Sequence, residues 1–321
     1  MKIAVRTVVV CLMSVLCLAS VNAYAQQQGL YQNFQRLGAY YSLHFNQYWL
    51  VVYPLIDKYK PSNFDMNNVQ VTLEEKSGKK IPISSDDLNI INLGDMYFKN
   101  AAQYRLFRFN LVIDNSGSIS NADLKLVQDA LSNFIRRLPL SFEAQIIRFS
   151  THVKKSGFTN DKNQLISWIK EPYEREMTAL YDAIATGVDE LKYSGDDIPF
   201  KFSIVLTDGK DTDSKRYTDA NFFQQKIVKD TADLNIPLLV VGVTNAVDEP
   251  LLKNISQFGF YRHAKGFPEV DEAFDFFEKI IRDIYVIRIP GVSSLSKLNK
   301  IYLGEEAGSG TPTTIQDFSM Q

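Results

Sequence analysis

The chain has 321 residues, of which 45% are hydrophobic and 22% are charged, a composition typical of a globular protein and not of a disordered or collagen-like one. Its 35 Lys and Arg residues are balanced by 37 Asp and Glu residues, so the formal net charge is only -2. The chain therefore lacks the basic excess with which proteins bind nucleic acid or an anionic membrane surface.

Residues 1–25 are organised like a secretory signal peptide. Lys2 and Arg6 precede a short apolar stretch, and the small residues Ala23 and Ala25 follow at the positions that a signal peptidase reads. The stretch is short for a membrane span of about 20 residues, although an uncleaved anchor is the alternative. Both cysteines lie within this segment. We predict export to the periplasm, the cell surface or the medium, with no stable membrane span after cleavage.

Residues 26–104 predict a small β-rich domain. Val69, Val71 and Leu73 alternate with polar residues, which is the period of a half-buried strand. A turn at residues 77–78 and the return through Ile81 and Ile83 complete a predicted hairpin.

Residues 105–285 predict a separate α/β domain, because candidate strands alternate with long amphipathic helices. The fold class is α/β, with a doubly wound, mainly parallel six-stranded sheet and a flanking small β domain. The clearest helix begins at Ser120, an N-cap residue followed three positions later by Asp123. The candidate strands are 106–114, 142–150, 151–158, 200–208, 237–243 and 259–265, and the other candidate helices are 178–192, 219–234, 249–257 and 269–285.

Residues 286–321 predict a strand-containing C-terminal tail. Our hypothesis is that residues 286–303 return to the N-terminal β domain, which would make the α/β domain an insertion. A flexible tail is the alternative.

Two of the predicted strands end in a carboxylate, Asp114 and Asp208. Strands of a doubly wound sheet bind ligands at their carboxyl ends, where the strand order reverses. If the two strands are neighbours, the carboxylates meet there with the hydroxyls of Ser116 and Ser118, and Thr178 at the start of a helix can add another oxygen. Oxygen donors without His or Cys favour a hard divalent ion. We predict Mg²⁺, for which Mn²⁺ or Ca²⁺ can substitute.

The same residues resemble a known family. "DNSGS", the Thr of "TALYDAI" and the Asp of "LTDG" are similar, in this order, to the metal-ion-dependent adhesion site (MIDAS) of the von Willebrand factor type A domain, a Rossmann-like fold. The resemblance covers residues 105–285. It implies that Ser116, Ser118 and Thr178 ligate the ion through their hydroxyls, and that Asp114 and Asp208 do so directly or through water.

The sequence departs from the family's pattern just before Thr178. The family commonly has small residues there, whereas this chain has Arg175, Glu176 and Met177. Two further acidic residues, Asp211 and Asp213, follow Asp208 closely. They predict either a solvated loop or a second cation site.

An ion held by two carboxylates and hydroxyls keeps an affinity for another carboxylate ligand. We therefore expect an exported, non-enzymatic protein that binds a protein partner through an Asp or Glu of that partner. One alternative is a structural subunit of an envelope or secretion assembly, with the metal as a staple. A metal-dependent hydrolase is a more distant one, since Ser116 lacks the glycine context of a nucleophile elbow. The scattered His44, His152 and His263 match neither a triad nor a zinc cluster.

Overall fold

The structure is a computed structural model that describes residues 34–42, 47–57, 60–61, 69–98, 107–139, 142–194, 198, 200–290, 297–305 and 313–317. The predicted signal peptide, residues 1–25, lies outside the described residues.

The strands, in chain order, are β1 (Phe34–Ser42), β2 (Gln47–Asp57), β3 (Lys60–Pro61), β4 (Val69–Glu75), β5 (Lys80–Ile83), β6 (Asn89–Asn92), β7 (Phe107–Asp114), β8 (Phe142–Phe149), β9 (Val153–Lys155), β10 (Phe200–Thr207), β11 (Leu238–Val243), β12 (Phe260–Ala264), β13 (Tyr285–Ile289), β14 (Leu298–Glu305) and β15 (Thr313–Asp317). The α-helices are α1 (Leu93–Phe98), α2 (Asn121–Arg137), α3 (Lys162–Lys170), α4 (Leu180–Lys192), α5 (Ala220–Leu234), α6 (Glu249–Ile255) and α7 (Val270–Arg282). None of these described helices is long and apolar enough to span a membrane.

The central sheet has six strands in the order β12-β11-β10-β7-β8-β9. Neighbouring strands run parallel from β12 to β8, and only the edge strand β9 is antiparallel. The predicted α/β class and mainly parallel six-stranded sheet are thereby confirmed. The strand order reverses between β7 and β10, which places the topological switch point of the sheet between these two strands.

The core is built from residues on both faces of this sheet. On one face, Phe109 of β7 contacts Phe134 of α2 at 6.1 Å between ring centroids. On the other, Val112 of β7 belongs to a buried cluster with residues of α4, α5 and α6, in which Tyr181 and Phe223 stack at 4.3 Å. Strands that are buried on both faces have near-continuous apolar sequences, which explains the pattern of β7, β10 and β11.

Two local features position the helices on the sheet: the N-cap residue of α2 and the close packing of α4 against β7. Ser120 caps α2 as predicted, because its Oγ accepts a hydrogen bond from the backbone N–H of Asp123 at 3.1 Å. Gly187 lets α4 pack closely on β7. A Cβ on Gly187 would lie 3.1 Å from both the Asn110 Oδ1 and the Val112 Cγ2. The Asn110 side chain also donates to the Gly187 carbonyl at 2.7 Å, so α4 is held on the strand that carries Asp114.

Helix α3 was not among the predicted elements. It is short, and it buries only Leu165 and Ile169, so its apolar pattern in the sequence is weak. Its start is marked by Asp161, whose carboxylate accepts from the backbone N–H groups of Asn163 and Gln164. Such an N-cap is a sequence signal that could have located this helix.

The described residues form two further sheets that contain antiparallel strand pairs. Strand β13 pairs with β2, with Tyr285 opposite Val52 and Ile289 opposite Tyr48. Strand β14 pairs with β4 in the sheet β15-β14-β4-β5. Within that sheet β4 and β5 form the expected hairpin, and Val71 lies opposite Ile83.

Contacts divide the chain into two compact units. The larger unit contains residues 36–53 and 90–291, and the described residues of the smaller unit are 34–35, 54–57, 60–61, 69–89, 297–305 and 313–317. The β2–β13 pairing thus lies in the unit of the six-stranded sheet, and the β4–β14 pairing in the other. The boundaries predicted at 104/105 and 285/286 remain a prediction.

Candidate metal centre

Asp114 and Asp208 lie at the switch point of the central sheet. Asp114 is the last residue of β7, and Asp208 directly follows β10. The two strands are parallel neighbours with Ile113 opposite Leu206, so both carboxylates stand at the same edge of the sheet. This is the arrangement on which the predicted site depends.

The loop after β7 links the two carboxylates through its serines. The backbone N–H of Ser116 donates to Asp114 Oδ1 at 2.8 Å, which turns the chain sharply after the strand. The Ser118 hydroxyl donates to Asp208 Oδ1 at 2.9 Å, and the Ser116 and Ser118 hydroxyls lie 2.9 Å apart. Four of the five predicted site residues therefore belong to one hydrogen-bonded cluster of oxygen atoms.

Thr178 is held beside this cluster by its backbone. It lies two residues before α4, and its N–H donates to Thr212 Oγ1 at 3.0 Å. Two residues before Thr178, the carbonyl of Glu176 accepts a hydrogen bond from the Gly117 N–H at 2.9 Å. Among the hydrogen bonds of the described residues, none uses the Thr178 hydroxyl, so that oxygen is left for another partner.

Both carboxylates are buried. Asp114 is 0% exposed and Asp208 is 5% exposed. Burial raises the pKa of Asp114 to about 6, and the nearby negative charge of Asp208 adds to the rise, although hydrogen bonds from Thr207 and Ser116 oppose it. Burial likewise raises the pKa of Asp208, against the hydrogen bond from Ser118.

Within the described part of the chain, no Lys or Arg side chain forms an ion pair with Asp114 or Asp208. Two buried carboxylates without a cationic partner are unfavourable when ionised, and a bound cation would remove that penalty. The described residues also contain no group of three or more His, Cys, Asp or Glu side chains that could hold a metal. A cation at this position would have to take hydroxyl oxygens as further ligands, and such a donor set fits Mg²⁺, Mn²⁺ or Ca²⁺ better than softer metals.

Three residues that the sequence reasoning missed support this site. Thr207 donates through its hydroxyl to Asp114 Oδ2 at 2.7 Å. Ser150 accepts from the backbone N–H of Glu176 at 2.7 Å through its Oγ, and its carbonyl accepts from Ala179 at 2.8 Å. The position of Thr207, directly before the Asp of "LTDG", was a signal that could have been used.

The third missed residue, Arg148, is a buried cation beneath the loops. Its Nε donates to Asn115 Oδ1 at 3.1 Å, and its Nη1 donates to the carbonyls of Trp168 at 3.0 Å and Glu171 at 2.5 Å. Arg148 is only 2% exposed. It therefore ties Asn115, in the loop after β7, to the C-terminal end of α3.

The residues that differ from the family pattern form the rim of the site. The Arg175 guanidinium donates to the side chain of Asn121, and the Glu176 carboxylate accepts from the Thr151 hydroxyl at 3.3 Å. Met177 is 50% exposed. The rim thus offers an exposed apolar group next to Thr178.

The family profile described as "von Willebrand factor type A domain" matches residues 110–279, more than half of the chain. The chain belongs to the von Willebrand factor type A family. The match includes all five predicted site residues of the type A domain, from Asp114 to Asp208. No curated protein sequence matches the chain.

Several solved structures resemble this type A domain. Proximal thread matrix protein 1 from the mussel byssus, with a zinc-occupied MIDAS motif, is 16% identical with a TM-score of 0.45, over 63% of this chain and 50% of that one. A von Willebrand factor type A protein from Catenulispora acidiphila is 10% identical with a TM-score of 0.49, over 84% of this chain and 67% of that one. The von Willebrand factor domain of the type V pili tip protein Mfa5 from Porphyromonas gingivalis is 11% identical with a TM-score of 0.45, over 56% and 95%. The chain spans about half the length of the mussel protein.

Proposed function

We propose that this chain is an exported type A domain protein that binds a protein partner through a divalent metal. Asp114, Ser116, Ser118, Thr178 and Asp208 would hold the metal, with Mg²⁺ as the first choice and Mn²⁺ or Ca²⁺ as substitutes. An Asp or Glu of the partner would complete the ligand set. The proposed activity is binding and not catalysis.

One observation supports this proposal above the others. Asp114 and Asp208 are buried at the ends of adjacent strands, and two serines of a single loop link them, through the backbone N–H of Ser116 and the hydroxyls of Ser116 and Ser118. Burying carboxylates in this way opposes folding unless a cation or protons neutralise them. At neutral pH, where protons are scarce, a bound cation would therefore stabilise the folded state.

When bound, the metal would supply an electrophilic position for an incoming carboxylate. Asp114 and Asp208 would neutralise the charge of the metal ion. The hydroxyls of Ser116, Ser118 and Thr178 would be weaker ligands. Gly117 and Ser118 are exposed, so a partner can reach the cluster from the side of this loop. Because Met177 is exposed on the rim, we expect the acidic residue of the partner to have an apolar neighbour.

Export is proposed from the signal-like sequence of residues 1–25, and it fits a binding protein of the cell surface, the periplasm or the medium. The near-balanced charge favours a protein partner over nucleic acid.

Calorimetric titration with Mg²⁺, Mn²⁺ and Ca²⁺ tests the metal site on the purified chain that begins at Gln26. We expect saturable uptake by the wild type and at least a tenfold loss in Asp114→Ala and Asp208→Ala. Asp129→Ala is the matched control, because Asp129 is an exposed residue of α2 whose nearest cation is Lys170 at 3.9 Å. Absence of uptake at millimolar metal would contradict the proposal.

A pull-down from envelope extract, with and without EDTA, tests the partner. We expect a protein that is retained by the wild type in Mg²⁺, released by EDTA and absent with Asp114→Ala. Retention that is equal in all three conditions would mean that binding does not pass through the metal.

The burial of the site favours one second candidate, a structural subunit in which the metal is a staple. Asp114, Ser116, Thr178 and Asp208 are all less than a tenth exposed. A staple would lose thermal stability first when Asp114 is replaced by Ala, whereas a binding site would lose the partner while the chain stays folded. Melting curves and the pull-down on the same variant separate the two.

A further inference from the structure

The acidic segment after Asp208 has a role that the sequence left open. We propose that Asp211 and Thr212 are positioning residues that fix Thr178 for metal binding, and that this segment is not a second cation site. The inference rests on the proposed function, because it concerns how one ligand of that metal is held.

Helix α4 begins without a cap of its own. The residue at its N-cap position is Ala179, which makes no side-chain hydrogen bond to the first turn. The first N–H groups of a helix have no partner within the helix and need one from elsewhere. A helix that starts at an uncapped alanine would fray, and Thr178 would move with it.

The segment after Asp208 supplies the missing partners. The Asp211 carboxylate accepts from the Tyr181 N–H at 3.1 Å, and the Ser214 Oγ accepts from the Asp182 N–H at 3.0 Å. A carboxylate at a helix N-terminus also interacts favourably with the helix dipole. Ser214 engages both oxygens of Asp211 as well, because its hydroxyl donates to Oδ1 at 2.5 Å and its backbone N–H donates to Oδ2 at 3.4 Å.

Thr212 forms a two-way link to Thr178. Its Oγ1 accepts from the Thr178 N–H at 3.0 Å, and its own N–H donates to the Thr178 carbonyl at 2.9 Å. The N–H of Asp213 donates to the same carbonyl at 3.2 Å. Both backbone groups of Thr178 are thus fixed by the loop that begins at Asp208, while its hydroxyl is left unbonded to the described residues.

Helix α4 also accepts hydrogen bonds from the segment after Asp208. The Asp182 carboxylate accepts from the backbone N–H groups of Lys215 at 2.8 Å, Arg216 at 3.0 Å and Tyr217 at 3.1 Å. Residues 178–182 and 211–217 therefore form a continuous set of hydrogen bonds. Through it, the loop that carries Asp208 sets the position of Thr178, so two of the proposed ligands are held as one unit.

A double-mutant cycle tests this role. Mg²⁺ affinity is measured by calorimetry for the wild type, Thr212→Val, Thr178→Val and the double variant. Val has nearly the shape of Thr but lacks the hydroxyl that accepts from Thr178. We expect Thr212→Val to weaken Mg²⁺ binding about tenfold in the wild-type background. In the Thr178→Val background we expect no further loss, because Thr212 acts through Thr178.

Thr212→Ser is the conservative control, because it restores the hydroxyl, and we expect its affinity to be within about twofold of wild type. Thr212 is exposed, so these variants should fold, and circular dichroism checks this. Equal losses in both backgrounds, or no loss in Thr212→Val, overturn the positioning role while the metal site stands. No Mg²⁺ uptake by the wild type overturns both the proposed function and this inference.

Discussion

The hydroxyl of Ser118 donates a hydrogen bond to Oδ1 of Asp208 over 2.9 Å, although 90 positions separate the two residues in the chain. This bond joins the loop after β7 to the loop after β10 at the point where the strand order reverses. The two loops are therefore held together by the side chains of the protein itself.

Replacement of Ser118 by Ala should weaken metal binding more than folding. The change removes a proposed ligand and leaves Asp208 without its hydroxyl partner, but Ser118 is exposed and leaves no cavity. We expect about a tenfold loss of Mg²⁺ affinity by calorimetry.

Ser120→Ala is the matched control for this change, two residues away. It removes the N-cap of α2, so we expect about 1 kcal/mol less stability in urea with unchanged Mg²⁺ affinity. A loss of affinity of the same size in both variants would indicate a general disturbance of the loop.

Metal affinity should depend on pH through Asp114. Because the pKa of Asp114 is raised to about 6 in the metal-free protein, the carboxyl is protonated below that pH, and the proton then has to leave before a cation can bind. We expect Mg²⁺ affinity to fall as the pH is lowered through about 6, in calorimetric titrations between pH 5 and 8. An affinity that does not change over this range would contradict the role of Asp114.

The stability of the metal-free chain should change in the opposite direction. Because the pKa of Asp114 is raised from 3.8 to about 6, the folded state binds the proton more tightly than the unfolded state. The stabilisation of the folded state by protonated Asp114 is fully present below pH 3.8 and is lost as the pH rises to about 6. The free energy of unfolding falls by roughly 3 kcal/mol over this range, at about 1.4 kcal/mol per pKa unit. Urea unfolding in EDTA measures this. Asp114→Asn should abolish this part of the pH dependence.

Replacement of Gly117 by Ala should separate the loop after β7 from the segment before Thr178. A Cβ at Gly117 would lie 3.2 Å from the Glu176 carbonyl oxygen and 3.3 Å from that of Arg175, so the backbone has to shift by a few tenths of an ångström. We expect several-fold weaker Mg²⁺ binding, since metal ligands tolerate little displacement.

Gly157→Ala serves as the control for this glycine, because no atom lies within 4 Å of its Cβ position. There we expect unchanged affinity and a gain of about 0.4–1 kcal/mol, from the lower entropy of the unfolded chain. Unchanged Mg²⁺ binding in Gly117→Ala would show that the contact with Glu176 does not position the site.

Replacement of Arg148 by Met should destabilise the fold. The change leaves the buried side chain of Asn115 and the partly buried carbonyls of Trp168 and Glu171 without their donor. An unsatisfied buried polar group costs about 1–3 kcal/mol, so we expect a loss of roughly 2–4 kcal/mol in urea unfolding. Arg136→Met, on the exposed side of α2, should change stability by no more than about 0.5 kcal/mol.

The sequence determined most of the architecture of the α/β domain, because all of its long helices and central strands carry their own local signals. The buried runs of β7, β10 and β11 and the cap at Ser120 are local features, and the structure confirms them. Helix α3 escaped prediction because two buried side chains give too weak a period. Asp114, Ser116 and Ser118 could be grouped from sequence because they lie within five consecutive residues.

Only the tertiary structure decided what joins these loops. Strand order, which makes β7 and β10 neighbours, depends on packing of the whole domain and not on either strand alone. The support of Thr178 by Thr212 and of the first loop by Arg148 arises between residues far apart in the chain. A hydrogen bond of this kind requires both backbones to be in place, and neither residue type nor spacing shows it.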